Sequence, residues 1–202
     1  MNNLISVSKF LSFVLRHKPD KIGLTLDSEG WANVDDLIEC CNKKSEFITI
    51  ELIEKVVATN DKKRFAFNAD KTKIRANQGH SLQVDLHLTP KKPPELLYHG
   101  TATRFLNSIK AQGLISGNRQ YVHLSSDMET AIKVGKRHGN PIVLTIRAWQ
   151  MFESNMIFYI SENGVWLTNQ VPTKYIELSI THAYLQSSVS YLKNNAVKKA
   201  RA

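Results

Sequence analysis

The chain has 202 residues, 42% of them hydrophobic and 22% charged, with a formal net charge of +9. This composition supplies the core of one large or two small domains and excludes a disordered or fibrous chain, while the charge fits nucleic acid, a membrane surface or solubility alone. The neighbouring cysteines Cys40 and Cys41 exclude a disulfide framework and leave a zinc site without thiolates, so we expect a reducing compartment.

The first predicted element is an amphipathic helix near the start of the chain. Its apolar stripe consists of Leu4, Val7, Leu11, Val14 and Leu15. Lys9 interrupts the apolar run and no small-residue cleavage site follows, which is not typical of a signal peptide or a membrane span. We therefore expect a cytoplasmic protein that does not bind a membrane.

Two short helices are predicted next, each with its own capping residue. Asn33 can cap a helix over residues 34–38, because an asparagine side chain accepts hydrogen bonds from the first turn. Thr49 can cap a second helix over residues 50–57 in the same way. Together with the first helix, these elements have the order of a helix-turn-helix unit.

A β-hairpin follows the helices. Residues 64–68 and 73–77 are two alternating runs around a turn-prone segment. Three helices and a hairpin indicate a winged-helix lobe over residues 1–92, in which the second short helix and the wing commonly contact nucleic acid. Folds of this kind also serve protein contacts, and the pattern does not decide between the two.

A proline-rich linker at residues 89–94 separates this lobe from a second one, because it cannot continue a helix or a central strand. Beyond the linker, short β-like runs at 96–99, 121–124, 142–146 and 165–167 alternate with helical stretches at about 103–112 and 127–138. We therefore predict an α+β chain whose second lobe, of mixed α/β type, covers residues 93–183.

Residues 184–202 are predicted to form a basic tail. The last ten residues contain no acidic residue and four basic ones, Lys193, Lys198, Lys199 and Arg201. A solvated helix end and an RNA-binding arm both fit this composition.

Two segments of the first lobe carry candidate functional residues. Arg16 and His17 end the first helix just before Pro19, where basic side chains also serve as an ordinary helix C-cap. Arg75 is followed by polar residues and a glycine up to Ser81, with no apolar periodicity. The second segment is typical of a ligand-binding loop, whereas capping alone explains the first.

The second lobe contributes histidines and small polar residues. His99, Gly100 and Thr101 stand where we expect a strand to end and a helix to begin, and the glycine allows a ligand to approach the backbone closely. His123 and Ser125 share one face of a predicted strand. Neither histidine has Asp, Glu or Cys nearby at ligand spacing, so we predict hydrogen-bonding roles and no metal site.

Four arginines lie in polar, glycine-flanked or element-terminal positions: Arg16, Arg75, Arg119 and Arg137. A guanidinium binds phosphate oxygens through two parallel hydrogen bonds, which a lysine cannot do. The residues alone therefore predict a phosphorylated ligand in a cleft between two domains, and they leave its identity open.

Six segments of the chain, in order, resemble the RNA 2'-phosphotransferases of the KptA family. They are LRHKP (15–19), IRANQGHS (74–81), LYHGT (97–101), VHLS (122–125), VGKRHG (134–139) and NGVWL (163–167). The resemblance covers about residues 8–180. It implies an N-terminal winged-helix lobe joined to a C-terminal lobe of the ADP-ribosyltransferase fold.

The resemblance also implies a reaction that consumes NAD as a co-substrate and needs no metal. An internal RNA 2'-phosphate, of the kind left at a tRNA splice junction, attacks C1'' of the nicotinamide ribose and expels nicotinamide. The resulting ADP-ribosylated 2'-phosphate undergoes transesterification, which releases RNA with a 2'-hydroxyl and ADP-ribose 1'',2''-cyclic phosphate. The implied partner is a tRNA-like RNA, and no obligate protein partner is expected.

The family's Arg-His-Arg-Arg catalytic set falls on Arg16, His17, Arg75 and Arg137, with Arg119 as the alternative for the last place. The positions assigned to NAD binding are His99, Gly100, Thr101, Arg119, His123 and Ser125. Arginines can hold a phosphate dianion without protonating it, which suits a phosphate nucleophile. His17 is either a general acid/base or a phosphate contact.

Two other functions stay open. An ADP-ribosyltransferase acting on terminal nucleic-acid phosphates or on protein would leave its adduct in place, and a non-enzymatic ligand sensor would not react at all. Retention of all four candidate catalytic side chains favours an enzyme. Many ADP-ribosyltransferases place a catalytic glutamate on a late strand. Here the corresponding region lacks a glutamate, apart from Glu162 just before it. This absence suits an anionic acceptor, which a nearby carboxylate would repel.

Overall fold

The structure is a computed structural model that describes residues 4–44, 47–60 and 62–179. Its α-helices are α1 (Leu4–Arg16), α2 (Val34–Lys43), α3 (Ile50–Ala58), α4 (Leu106–Gln112), α5 (Met128–Gly135) and α6 (Ala148–Glu153). Its strands are β1 (Ala32–Asn33), β2 (Phe65–Phe67), β3 (Lys73–Ala76), β4 (Leu97–Ala102), β5 (Leu114–Ile115), β6 (Val122–Leu124), β7 (Pro141–Ile146), β8 (Phe158–Ile160), β9 (Trp166–Thr168), β10 (Gln170–Val171) and β11 (Ile176–Ser179). This mixture confirms the α+β class. The predicted basic tail at 184–202 lies outside the described residues.

The chain divides into two compact units. Among the described residues, the first consists of the chain up to Lys91 with 115–122 and 157–169, and the second of 92–114, 123–156 and the part from Gln170 onward. The first change of unit, at Lys91, falls inside the proline-rich linker. The return of two later segments to the first unit has no signal in the sequence, because hydrophobic periodicity reports only on local structure.

The first unit packs on the apolar face of α1. Four residues of the predicted stripe, Val7, Leu11, Val14 and Leu15, are buried, and the fifth, Leu4, is half-buried against the same core. The helix ends where Pro19 follows, since a proline disfavours helical geometry in the residue before it.

Side-chain caps fix the start of the next two helices, as predicted. The Asn33 side chain accepts hydrogen bonds from the backbone N–H groups of Asp35 and Asp36 at the start of α2. The Thr49 hydroxyl accepts one from Leu52 N–H at the start of α3. Each cap satisfies backbone donors that the first helical turn leaves without partners.

The predicted hairpin is confirmed and belongs to a three-stranded sheet. β2 and β3 pair antiparallel, with Phe65 opposite Ala76. β1 adds to the other side of β3, with Ala32 opposite Ile74, so the strand order is β1-β3-β2. Because side chains alternate along β3, Ile74 and Ala76 are buried and Arg75 points to the opposite face.

An antiparallel sheet of order β11-β7-β4 forms the centre of the second unit. The sequence placed a strand end near Thr101, but β4 continues to Ala102 and the following 3-10 turn begins at Thr103. Gly100 therefore lies inside a paired strand, opposite Val143. Among the described residues, no helix is both long and apolar enough to span a membrane.

Candidate active site

The C-terminal end of α1 meets a loop that is distant in sequence. The loop after β3 crosses this end, where Ser81 N–H donates to the Arg16 carbonyl at 3.0 Å. The Ser81 hydroxyl lies 3.0 Å from His17 Nδ1. The structure thus brings together the two segments of the first lobe that the sequence indicated.

The Arg16 guanidinium lies among other cations. Its Nη2 donates to the Arg64 carbonyl at 3.4 Å, and its Nε is buried with no hydrogen-bond partner among the described residues. Gly79, with φ +89°, lies beside it, and a Cβ there would stand 3.7 Å from Nη1. Burial, and then the positive charges of Arg64 and Arg119, lower the pKa of Arg16 to about 10. A buried cation surrounded by cations favours a bound anion.

The Arg75 guanidinium lies over an aromatic ring. Its guanidinium carbon stands 4.4 Å from the centroid of the Trp31 ring, and the side chain is only 13% exposed. Nη2 donates to Glu162 Oε1 at 3.2 Å, and the Glu162 side chain is 58% exposed. Because the Glu162 carboxylate faces solvent, this ion pair is weak enough for an incoming anion to replace the carboxylate. Stacking leaves the edge of the guanidinium available for that contact.

His80 is a buried imidazole next to these arginines. It is 1% exposed, and neither ring nitrogen has a hydrogen-bond partner in the described parts of the chain. Burial, followed by the positive charges of Arg16, His17 and Arg75, lowers the pKa of His80 to about 4. The ring is therefore neutral near pH 7, and three predicted catalytic residues act electrostatically on it.

His17 and Arg119 extend this cluster. Burial, and then the charges of Arg16 and Arg119, lower the pKa of His17, which keeps the imidazole neutral near pH 7. Gln120 fixes the loop of Arg119, because its N–H donates to the His80 carbonyl at 3.3 Å and its Nε2 to the Val84 carbonyl at 2.8 Å. Arg119, assigned from sequence to NAD binding, thus lies in the same unit as Arg16 and His17.

In the second unit, two adjoining segments hold the predicted histidines. His99 Nδ1 lies 2.9 Å from the His123 carbonyl oxygen. A carbonyl can only accept, so Nδ1 of His99 carries a proton. Tyr98 and Ser125 exchange two backbone hydrogen bonds, of 2.9 and 2.7 Å. The structure therefore brings His99, His123 and Ser125 together.

Gly100 and Thr101 are buried against α5. A Cβ at Gly100 would overlap the carbonyl oxygen of Ala131, and a Cβ at Gly135 would stand 2.7 Å from the Thr101 carbonyl oxygen. Both glycines are needed for the helix to lie this close to β4. This packing explains Gly100 independently of any ligand.

The predicted site residues thus fall into two groups. The first unit contains Arg16, His17, Arg75 and Arg119, and the second contains His99, Gly100, Thr101, His123, Ser125 and Arg137. Arg137 is exposed in the 3-10 turn Lys136–His138, directly after α5. Within the described ranges, no group of three or more His, Cys, Asp or Glu side chains is arranged to hold a metal ion.

Sequence reasoning missed two residues of the first group. Trp31 gave no functional signal, because its contact with Arg75 depends on the pairing of β1, which begins at the next residue, with β3. His80 stands in the polar segment 74–81 and could have been noted there, although only burial makes it unusual. From sequence, Glu162 is only the one carboxylate near a region that lacks a catalytic glutamate, whereas in the structure it pairs with Arg75.

Comparison with known proteins finds one family over most of the chain. The family model for the RNA 2'-phosphotransferase, Tpt1 / KptA family, matches residues 2–170. A probable RNA 2'-phosphotransferase of Flavobacterium johnsoniae is 58% identical over 172 residues, which cover 85% of this chain and 94% of the relative. One from Pectobacterium carotovorum is 59% identical over 172 residues, with coverages of 85% and 92%. The RNA 2'-phosphotransferase of Escherichia coli K12 is 55% identical over 175 residues, with coverages of 86% and 95%.

Proposed function

The chain belongs to the Tpt1/KptA family of RNA 2'-phosphotransferases, and on this premise we propose that it transfers an internal 2'-phosphate from RNA to NAD. The observation that carries the proposal is the cluster of Arg16, His17 and Arg75 around buried His80. Within the described chain, both arginines have a buried Nε without a partner, which fits an anionic ligand. The products are RNA with a 2'-hydroxyl, nicotinamide and ADP-ribose 1'',2''-cyclic phosphate.

In the first step, a 2'-phosphate oxygen bonds to C1'' of the nicotinamide ribose while the bond to nicotinamide breaks. The nucleophile is a dianion, so its ligands must hold it without giving it a proton. Arg16 remains a cation at pH 7 even with a pKa of about 10, and Arg75, which lies over the Trp31 ring, offers the planar fork of a guanidinium. We assign both to phosphate binding.

In the second step, the ribose O2'' attacks phosphorus and the bond from phosphorus to the RNA 2'-oxygen breaks. The proton of O2'' must reach the RNA oxygen. His17 suits this transfer because its lowered pKa leaves it neutral and able to accept a proton. His17→Gln keeps a hydrogen-bonding group and removes proton transfer, so its rate separates this role from a simple phosphate contact.

The remaining predicted residues are assigned to NAD binding and to the last place of the catalytic set. We assign NAD binding to the second unit, through His99, Gly100, Thr101, His123 and Ser125. Arg137 takes the last place of the catalytic set, and Arg119 becomes an additional phosphate ligand because its charge acts on Arg16 and His17. These roles accompany a winged-helix lobe and an ADP-ribosyltransferase-like lobe, acting on tRNA-like RNA.

The test compares nicotinamide release from NAD with three oligoribonucleotides of one sequence. One carries an internal 2'-phosphate, one has only hydroxyls, and one carries a terminal phosphate. We expect release with the first alone, with one nicotinamide formed for each phosphate removed. Release with the terminal phosphate and a persistent ADP-ribose adduct would replace the proposal with an ADP-ribosyltransferase. No release with any RNA would overturn it.

A further inference from the structure

An open groove of about 590 Å³ runs along the exposed side of α1 as far as Arg16 and His17. We call it the α1 groove. On α1 it is lined by two adjacent ridges at helical spacing, Ser8-Ser12-Arg16 and Lys9-Phe13-His17. The opposite wall is formed by the end of α3 and the segment after it, including Asn60, Lys62 and Arg64.

Hydrogen bonds hold the second wall against the helix. Asn60 Nδ2 donates to the Ser8 hydroxyl at 3.1 Å, and Arg64 Nη1 donates to Asn60 Oδ1 at 3.1 Å. Arg16 closes the connection by donating to the Arg64 carbonyl. The groove is therefore continuous with the residues assigned above to the 2'-phosphate.

The groove is basic along its length. Lys9, Lys62 and Arg64 line it before it reaches Arg16, and none of its described lining residues is acidic. A row of cations attracts the phosphates of a nucleic-acid backbone.

An aromatic ring stands on the same surface. Phe13 lines the groove and is 43% exposed. Exposed aromatic rings beside basic side chains serve as stacking platforms for unpaired bases. The combination favours single-stranded RNA over a duplex, whose bases are already stacked on one another.

The helix that usually contacts nucleic acid in a winged helix has the opposite charge. The charged residues of α3 are Glu51, Glu54 and Lys55, which give this helix a net negative charge. Glu54 pairs with Lys71 at 2.7 Å, so the charged side chains of α3 offer a phosphate backbone no basic row like that of the α1 groove.

We propose that the α1 groove binds the unpaired RNA strand that flanks the 2'-phosphate; this inference rests on the proposed function. Lys9 precedes Arg16 by two turns of helix, about 10 Å along the axis. A strand with its 2'-phosphate at Arg16 thus follows α1 towards Lys9 and Lys62, with a base stacked on Phe13. The groove defines the substrate as RNA that is single-stranded beside the modified nucleotide.

The test measures the affinity of the full chain for a fluorescein-labelled single-stranded RNA of about twelve nucleotides without a 2'-phosphate, by anisotropy, between about 50 and 200 mM salt. We expect the double variant Lys9→Glu/Lys62→Glu to bind more weakly by a factor of about ten or more. The slope of log K against log salt should become less steep by about 1.4, which is about 0.7 for each lost phosphate contact. Phe13→Ala should bind about fivefold more weakly with the wild-type slope, because stacking is not a salt-dependent contact. All three side chains are exposed, so the fold does not depend on them.

Lys55→Glu on α3 is the matched control and should bind within about twofold of wild type. Equal weakening by this control, or wild-type affinity in the double variant, would overturn the inference. Loss of binding to phosphatidylserine vesicles with RNA binding retained would assign the groove to a membrane surface instead. Nicotinamide release by the same wild-type preparation tests the proposed function separately, since the binding assay needs neither NAD nor a 2'-phosphate.

Discussion

The surroundings of Arg16 and Arg75 favour anion binding in two different ways. Arg16 is buried among cations, which lowers its pKa to about 10. Arg75 is stacked on Trp31 and paired with a single exposed carboxylate, that of Glu162. Donors that are already oriented need little rearrangement when phosphate charge develops, and this is where such sites gain most of their effect on rate.

Arg75→Ala should lower kcat by about a hundredfold or more, the usual loss when one preorganised donor is removed. The fold should persist, because Arg75 lies on the face of β3 opposite to buried Ile74. Arg104→Ala is the matched control, since Arg104 also lies over an aromatic ring, 4.7 Å from the Phe105 centroid, but outside the site. Steady-state nicotinamide release and circular dichroism check both variants. Wild-type turnover of the Arg75 variant would remove this residue from the catalytic set.

His80 connects the site to the stability of the first unit. Its pKa is about 4 in the folded chain, against 6.5 for an unperturbed histidine. When the pH falls below 6.5, His80 binds a proton in the unfolded chain but stays neutral in the folded chain. The stabilisation is therefore complete above pH 6.5 and is lost as the pH falls towards 4.

Between pH 7 and 5, the free energy of unfolding should therefore fall by about 2 kcal/mol more in wild type than in His80→Leu. The difference follows from about 1.4 kcal/mol per pKa unit. Urea denaturation at the two pH values measures this difference, which is independent of any change in packing that affects both values equally. His138→Gln, at an exposed position, should retain the wild-type dependence. A wild-type dependence in the His80 variant would show that this ring titrates normally.

At the scale of elements, the sequence predicts what local physics controls. The stripe of α1, the caps Asn33 and Thr49 and the hairpin of β2 and β3 all follow from side chains within a few residues of one another. The two-residue strand β1 does not, because it exists only through pairing with β3. The contact of Trp31 with Arg75 could not be predicted for the same reason, because it also depends on strand pairing.

Gly100 shows how a sequence signal can have a structural cause. The glycine in LYHGT predicted close approach of a ligand, yet the close neighbour in the structure is the backbone of α5 at Ala131. The β4 strand carries His99 beside it, so displacement of α5 would disturb the proposed NAD-binding residues as well.

Gly100→Ala should destabilise the chain by about 3 kcal/mol or more, because helix and strand must separate to admit the methyl group. Gly117→Ala is the control: no atom lies within 4 Å of its added Cβ, so it should lose only the penalty of about 1 kcal/mol for φ +61°. Thermal unfolding of the two variants gives the comparison. Equal loss in both would contradict the packing of α5 on β4.

In the whole molecule, neither unit is a single continuous stretch of the chain. The first change of unit falls inside the proline-rich linker, but residues 115–122 and 157–169 return to the first unit. These segments bring Arg119 and Glu162 to the unit of Arg16 and Arg75. Sequence alone could not predict this, since a return of the chain depends on tertiary packing and not on a local pattern. A fragment that stops at the linker would therefore lack part of its own unit.

The most direct measurement follows the phosphate itself. RNA with an internal 2'-phosphate labelled with ¹⁸O at its three terminal oxygens is incubated with the chain and NAD, and the products are weighed by mass spectrometry. We expect ADP-ribose 1'',2''-cyclic phosphate that retains all the label, because one labelled oxygen bonds to C1'' and only the bond to the RNA oxygen breaks. Labelled inorganic phosphate, or label that stays on the RNA in an ADP-ribose adduct, would contradict it.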